Sequence, residues 1–188
     1  MKYYLEEPSI KRKEEAKEYI NEFISNNSKI NGVGALDRYL EENTYEEWLG
    51  YLKKIEGKEY AYSLGFVPAN TYFMIRKEDD KLIGMINLRH ELNEKLAKSG
   101  GHIGYGIRPS ERRKGHAKIQ LYLCLLKAQE LGLEKVMLTC DEKNVASYKT
   151  MEALGGVFDR KEIEKDRITN VYWINVNESI EKYKYLIK

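Results

Sequence analysis

A basic, glycine-containing turn between an apolar strand and a long apolar helix constrains this chain most. Residues 104–117 read GYGIRPSERRKGHA and continue directly into the apolar run KIQLYLCLLKAQEL. Pro109 lacks an N–H group, so it ends the strand predicted over residues 103–108. Gly115 lies where the helix begins, and its missing Cβ leaves the free N–H groups of the first helical turn open to an anion. The stretch therefore predicts a strand, a phosphate-binding loop and a helix.

Length and composition favour one globular domain over residues 1–188. Hydrophobic residues make up 42% and charged residues 33% of the chain, the balance of a soluble protein with a substantial core. The net charge of +2 gives no overall attraction to nucleic acid. No apolar run approaches the length of a membrane span or a signal peptide, so we expect a cytoplasmic protein without a membrane partner.

The cysteines and histidines argue against a metal centre. Cys124 and Cys140 have no CxxC or Cys/His spacing, and the chain has three histidines. Cys124 is expected in the core. Cys140 ends a predicted strand, where it is either a buried apolar-like side chain or a thiol relay.

The chain before the turn predicts helices followed by a hairpin. Apolar spacing indicates one helix over residues 9–26 and a second over 45–55, with Asn43 and Thr44 as cap candidates. Gly65 and Pro68 interrupt the pattern over 57–70, which predicts a loop or a short strand. Residues 71–92 read as a β-hairpin around a turn at 79–80, and 93–100 as a polar loop.

The chain after the turn predicts a crossover unit and a second hairpin. A helix over about residues 114–131 ends at Gly132, and a strand over 134–140 follows, which we expect to run parallel to the strand before the turn. A short helix over 145–154 precedes two antiparallel strands at 157–164 and 167–176. The last residues predict a short helix or a loosely attached end. The whole is a mixed α/β domain.

Two motifs in this order resemble the GNAT superfamily of acyl-coenzyme A N-acyltransferases. Arg112, Gly115 and Ala117 fit the loop pattern (Q/R)-x-x-G-x-(G/A), and Asn144-x-x-Ser147 begins the following helix. The similarity covers about residues 60–176. It implies a central, mostly antiparallel sheet with one parallel, splayed strand pair, flanked by helices.

The resemblance implies acetyl-coenzyme A as co-substrate and assigns two sets of binding residues. The pantetheine arm would lie along Tyr105, Ile107 and the backbone near Arg108, with Asn144 and Ser147 facing it from the opposite wall. The basic loop would hold the pyrophosphate, through Arg112, Arg113, Lys114, Gly115, His116, Ala117 and Lys118. A plain helix cap remains the alternative for Asn144, and an ordinary first-turn residue for Ser147.

The implied reaction is direct attack of a primary amine on the thioester within a ternary complex. His90, Glu91 and His102 are candidates for the base, against the alternative that each histidine is a hydrogen-bonded structural residue. Many relatives place a tyrosine, as proton donor to the departing thiolate, four residues after the helix serine. Met151 occupies that position here, so Tyr148 or Tyr122 would have to take the role.

Two other functions remain open at this stage. A non-catalytic acyl-coenzyme A binding module would explain Met151, and the basic residues of the turn would suit nucleic acid, although no aromatic residues accompany them. The sequence does not identify the acceptor amine. We expect the N-terminal helices and the loops at 57–70 and 91–101 to shape its pocket. Glu91 and Glu94 would either attract a cationic amine or be ordinary solvated loop residues. A homodimer is compatible with the exposed tyrosines near the tail.

Overall fold

Seven strands form two antiparallel sheets in the computed structural model, which describes residues 2–187. The first sheet has the order β1 (Tyr3–Glu6), β2 (Ala69–Arg76), β3 (Lys81–Arg89) and β4 (Ile103–Ile107). The second has the order β5 (Lys135–Asp141), β7 (Arg167–Asn175) and β6 (Val157–Glu164). Because β4 and β5 belong to different sheets, the fold has a divide between them.

Helices cover both faces of the first sheet. Their bounds are α1 (Lys13–Ser25), α2 (Leu36–Glu42), α3 (Tyr45–Ile55), α4 (Lys58–Ser63), α5 (Glu94–Lys98), α6 (His116–Glu130), α7 (Val145–Glu152) and α8 (Val176–Tyr183). On one face, α1 and α3 bury residues such as Phe23 and Trp48 against Phe73 of β2. On the other, α6 buries Leu121 and Leu125 against β3, β4 and the second sheet. Strand β3 is therefore apolar on both faces, as expected for a covered central strand.

Several predicted elements are confirmed. Helix α3 has the predicted bounds, and Thr44 forms a capping box in which its side chain accepts from Glu47 N while the Glu47 carboxylate accepts from Thr44 N. The β2–β3 and β6–β7 hairpins are also present. The chain end forms α8, attached to the core where Ser179 Oγ donates to Leu154 O at 2.8 Å.

Two predictions of local structure were wrong, and one strand was missed. Residues 57–70, expected as a loop or short strand, contain α4, because Gly57 caps its start and Gly65 ends it with a φ of +72°. The polar loop at 93–100 contains α5, since the Asn93 side chain accepts from Leu96 N at 3.0 Å. Strand β1 was not predicted at all, and it forms by pairing with β2.

None of the helices within residues 2–187 combines the length and the apolar character needed to cross a membrane.

Candidate functional site

A row of free backbone N–H groups lies at the start of α6. Arg113 and Gly115 both take left-handed backbone angles, with φ of +60° and +81°. Within residues 2–187, the N–H groups of residues 113–117 donate to no protein acceptor, whereas Lys118 N donates to Gly115 O. A Cβ on Gly115 would meet no protein atom within 4 Å, so the space beside it is open. This is the arrangement that binds phosphate at a helix N-terminus.

A buried carboxylate holds this loop in place. Glu111 is 4% exposed and accepts from Arg76, Lys81 and Lys114. Burial opposes its ionisation, but hydrogen bonds from Arg76, Lys114 and Lys81 outweigh that effect and lower its pKa to about 2. The Lys114 side chain is thereby committed to the protein. Its backbone N–H remains available to a ligand.

His116 is held in the same way. Its Nδ1 lies 2.9 Å from Glu111 O, and its Nε2 lies 3.0 Å from the hydroxyl of Tyr3. The imidazole is buried and both of its nitrogens have protein partners, so the backbone N–H of His116 is the donor left for a ligand. Strand β1, which carries Tyr3, thus helps to fix the loop.

The predicted arginines divide into two groups. Arg112 lines the cleft, where its Nε donates to Ile107 O at 3.1 Å and its guanidinium lies 5.0 Å from the Phe23 ring. Arg113 and Lys118 also line the cleft. Arg108 does not, because it is buried toward α1 and its Nη2 donates to Glu15 O. Its backbone N donates to Ile83 O at 2.9 Å, so neither part of Arg108 faces the cleft.

The cleft beside this loop has a volume of about 730 Å³, well within the range of ligand sites. It runs from the start of α6 between β4 and α7. The β4 wall is formed by Tyr105, Gly106 and Ile107, the α7 wall by Asn144, Ala146, Ser147, Lys149, Thr150 and Ala153, and the rim near α1 by Phe23, Ser28, Lys29 and Asn31. The structure therefore brings together the predicted loop, Tyr105, Ile107, Asn144 and Ser147.

The cleft opens because β4 and β5 separate. They meet beside His102, whose backbone N donates to Met137 O at 2.7 Å and whose Nδ1 accepts from Met137 N at 2.9 Å. Beyond this point each strand continues in its own sheet. Burial, together with the charge of Arg89, lowers the pKa of His102 to about 4. His102 is thus a neutral residue that joins the two sheets, and it does not line the cleft.

Across the gap, β4 contacts α7 through one hydroxyl. The Tyr105 OH lies 3.1 Å from Ser147 Oγ and also donates to Ser147 O at 3.4 Å. Burial raises the pKa of Tyr105 to about 12, so its phenol stays protonated. Asn144 caps α7 by accepting from Ser147 N at 3.2 Å, so its side-chain oxygen serves the cap while the residue lines the cleft.

The remaining catalytic candidates lie outside the cleft. His90 Nε2 is 2.6 Å from Asn70 Oδ1, and Glu91 accepts from Tyr62 OH at 2.5 Å. Tyr148 packs against the core beside α6, and the Tyr122 hydroxyl donates to Ile180 O. Met151 is 1% exposed.

Cys140 and Cys124 are buried thiols. Cys140 is 6% exposed, and burial raises its pKa to about 11. Its thiolate is therefore scarce near neutral pH. Cys124 is fully buried among leucines of α6, as predicted.

A second cavity of about 530 Å³ adjoins the cleft, and Asn31 lines both. The loop before α2 reaches β4 here because Gly32 has no side chain, since a Cβ on it would lie 2.5 Å from Gly104 O. Residues from α2 and α3, from the segment after α4 and from the segment around α5 enclose the cavity, among them Asp37, Arg38, Tyr51, Phe66, Arg89 and Lys95. Sequence reasoning placed an acceptor pocket among these segments but did not single out Arg89.

Residues 33–155 match the acetyltransferase (GNAT) family. No curated protein matches the sequence significantly.

Solved structures with the same fold cover nearly the whole chain. YncA from Salmonella typhimurium, a putative acetyltransferase solved with its cofactor acetyl-CoA, aligns with a TM-score of 0.59 at 12% identity, over 95% of this chain and 96% of its own. MccE, the microcin C7 self-immunity acetyltransferase solved with acetyl-CoA and AMP, aligns with a TM-score of 0.63 at 17% identity, over 93% and 92%. RimL, a ribosomal L7/L12 α-N-protein acetyltransferase solved with coenzyme A, aligns with a TM-score of 0.63 at 14% identity, over 93% and 94%.

Proposed function

The chain belongs to the GNAT acetyltransferase family and is an acyltransferase, and from this premise we propose that it transfers an acetyl group from acetyl-coenzyme A to a primary amine. The observation that carries the proposal is the row of free N–H groups at residues 113–117, which opens onto a cleft that adjoins a second cavity. One compartment suits the coenzyme and the other an acceptor.

The cleft residues fit coenzyme A. The pyrophosphate would accept from the free N–H groups of the loop, and Arg112, Arg113 and Lys118 would add positive charge around it. Beyond His102, the edge of β4 that faces away from β3 has no strand partner among residues 2–187, so its backbone groups are available to the amides of the pantetheine arm. When bound, the coenzyme supplies an acetyl group activated as a thioester.

We propose Tyr105 as the proton donor to the departing thiolate, because Met151 cannot donate a proton. The Tyr105 hydroxyl projects from β4 to α7, and its raised pKa keeps the phenol protonated, so that it can donate to the sulfur as the thiolate departs. Ser147, whose Oγ lies 3.1 Å from that hydroxyl, positions it. Tyr105 therefore replaces, from the opposite wall, a donor that relatives carry on the helix.

We assign acceptance of the amine proton to water. The imidazole and the carboxylate that line the cleft, His116 and Glu111, are already held by protein partners. His90 and His102 lie outside it. An alkylamine has a pKa of about 10. At pH values below 10, the fraction of neutral amine therefore increases about tenfold for each unit by which the pH is raised. With water as acceptor, kcat/KM for the amine is expected to rise with pH in the same proportion between about pH 7 and 9.

The test is a transfer assay with a panel of primary amines, read by release of the coenzyme thiol. Direct transfer predicts intersecting initial-velocity plots and no acetylated protein in mass spectra taken with acetyl-coenzyme A alone. An acetylated Cys140 would show a covalent relay instead. Binding of acetyl-coenzyme A without thiol release with any amine would defeat the transfer proposal.

The fold does not select the acceptor. MccE and RimL are named for unrelated molecules, microcin C7 and a ribosomal protein, although both align over most of this chain. The homodimer stays a prediction, which sedimentation of the purified protein tests.

A further inference from the structure

The second cavity carries an excess of positive charge. Its lining includes the basic residues Arg38, Arg89 and Lys95 against the single carboxylate of Asp37. The acidic residues expected to attract a cationic amine lie elsewhere, since Glu91 is bonded to Tyr62 and neither Glu91 nor Glu94 lines the cavity. The electrostatic potential in the cavity therefore favours a ligand group that is anionic over one that is cationic.

Arg89 is placed to bind such a group. Its Nη1 donates to the carbonyls of Gly100 and Gly101, at 3.3 and 2.9 Å, which fixes the side chain against the segment after α5. Within residues 2–187, its Nε and Nη2 donate to no protein acceptor, and no carboxylate lies within ion-pair distance of the guanidinium. Burial alone lowers the pKa of Arg89, with no neighbouring charge to offset it. A partly buried cation without a counter-ion is costly, and a ligand anion would supply the missing partner.

We infer that the acceptor is a small primary amine that also carries a carboxylate or a phosphate, and that Arg89 binds this anionic group in the second cavity. The inference rests on the proposed function. An arginine suits either anion because its planar group offers two parallel donors.

Arg89 lies beside the strand that forms one wall of the cleft. Its Nη2 lies 3.8 Å from the point where a side chain on Gly104 would begin, and Tyr105, the next residue of β4, lines the cleft. Neighbouring residues of a strand are about 3.3 Å apart along its axis. Successive side chains of a strand point to opposite faces, so Arg89 approaches β4 from the face opposite the Tyr105 side chain.

The experiment compares matched amines on the 188-residue protein saturated with coenzyme A, by titration calorimetry. The pairs are phenylalanine with phenethylamine, lysine with cadaverine, and phosphoethanolamine with ethanolamine, so that the first two test a carboxylate and the third a phosphate. We expect at least one anion-bearing member to bind at least about tenfold more tightly than its partner. In Arg89→Lys, which keeps the charge but loses the planar fork, that preference falls by about tenfold or more.

Two controls make the result decisive. Arg167→Gln removes a positive charge from an exposed site on β7, outside both cavities, and should leave the preference intact. A separate titration of each variant with acetyl-coenzyme A, without amine, tests the fold and the coenzyme cleft. Three outcomes would overturn the inference if coenzyme binding in that arm is normal. They are no binding of any anion-bearing amine, equal binding of both members of every pair, and an unchanged preference in Arg89→Lys. Loss of coenzyme binding by the wild-type protein would instead reject the proposed function.

Discussion

Replacing Tyr105 with Phe should separate a catalytic hydroxyl from a structural one. The change removes the hydrogen bond to Ser147, worth about 0.5–1.5 kcal/mol net, so Tm should fall by about 1–6 °C. If the hydroxyl donates a proton during transfer, kcat should fall by about 10²–10⁴-fold, or ~2.7–5.5 kcal/mol of barrier. The kinetic loss then exceeds the stability loss. KM for acetyl-coenzyme A should change little, because the pyrophosphate loop is untouched.

Tyr122→Phe is the matched control. Its hydroxyl also makes one hydrogen bond to a backbone carbonyl, that of Ile180 at 3.2 Å, but outside the cleft. Both variants should lose similar stability, while only Tyr105→Phe loses turnover. The assay is thiol release at saturating acetyl-coenzyme A and amine. Because the pKa of Tyr105 is about 12, wild-type kcat should show no fall between about pH 8 and 10. A kcat for Tyr105→Phe within about threefold of that for Tyr122→Phe would refute the assignment.

Three further substitutions test the supporting residues. Glu111→Gln should lower the free energy of unfolding, measured by denaturant titration, by about 2 kcal/mol at pH 7. The pKa of Glu111 in the folded protein is about 2. The difference between wild type and variant should therefore persist above about pH 5 and shrink as the pH falls toward 2. His102→Gln should lower Tm, because the hydrogen bond with Met137 is disturbed, but kcat should stay within about threefold of the wild-type value. A fall in kcat of about a hundredfold in a folded variant would show that His102 is a catalytic residue. Cys140→Ser should also keep kcat within about threefold, and loss of turnover with retained folding would support a thiol relay.

The parts of the fold that could be predicted depend on local signals. Gly115 at the start of α6 and the cap of α3 at Thr44 are set by residues close in sequence, and both lie where predicted. Helix α4 was missed although Gly57 and Gly65 bracket it, because the second glycine was taken as a break and not as a helix end. Strand β1 has no such local signal, since its four residues become a strand only against β2.

The parts of the site that escaped prediction depend on distant contacts. Tyr105 meets Ser147 across 42 positions, and only the separation of β4 from β5 allows it. Arg89 is the last residue of the apolar strand β3, and an arginine at a strand end is usually solvated. Only the folded structure shows that the free N–H donors of Arg89 lie in a cavity. His102 was a candidate base because the sequence does not show that its Nδ1 accepts a hydrogen bond from Met137 N.

The most direct test of the account is thermal unfolding with acetyl-coenzyme A in the wild type, Gly115→Glu and Gly132→Glu. The two glycines bracket α6 with similar φ, +81° and +77°, and a Cβ on either meets no protein atom within 4 Å, so both substitutions cost similar backbone strain. Ligand at about one hundred times Kd should add ~2.7 kcal/mol, a rise of about 5–11 °C. We expect this rise in the wild type and in Gly132→Glu, and its loss in Gly115→Glu. An equal rise in both variants, or none in the wild type, would contradict a coenzyme phosphate site at the start of α6.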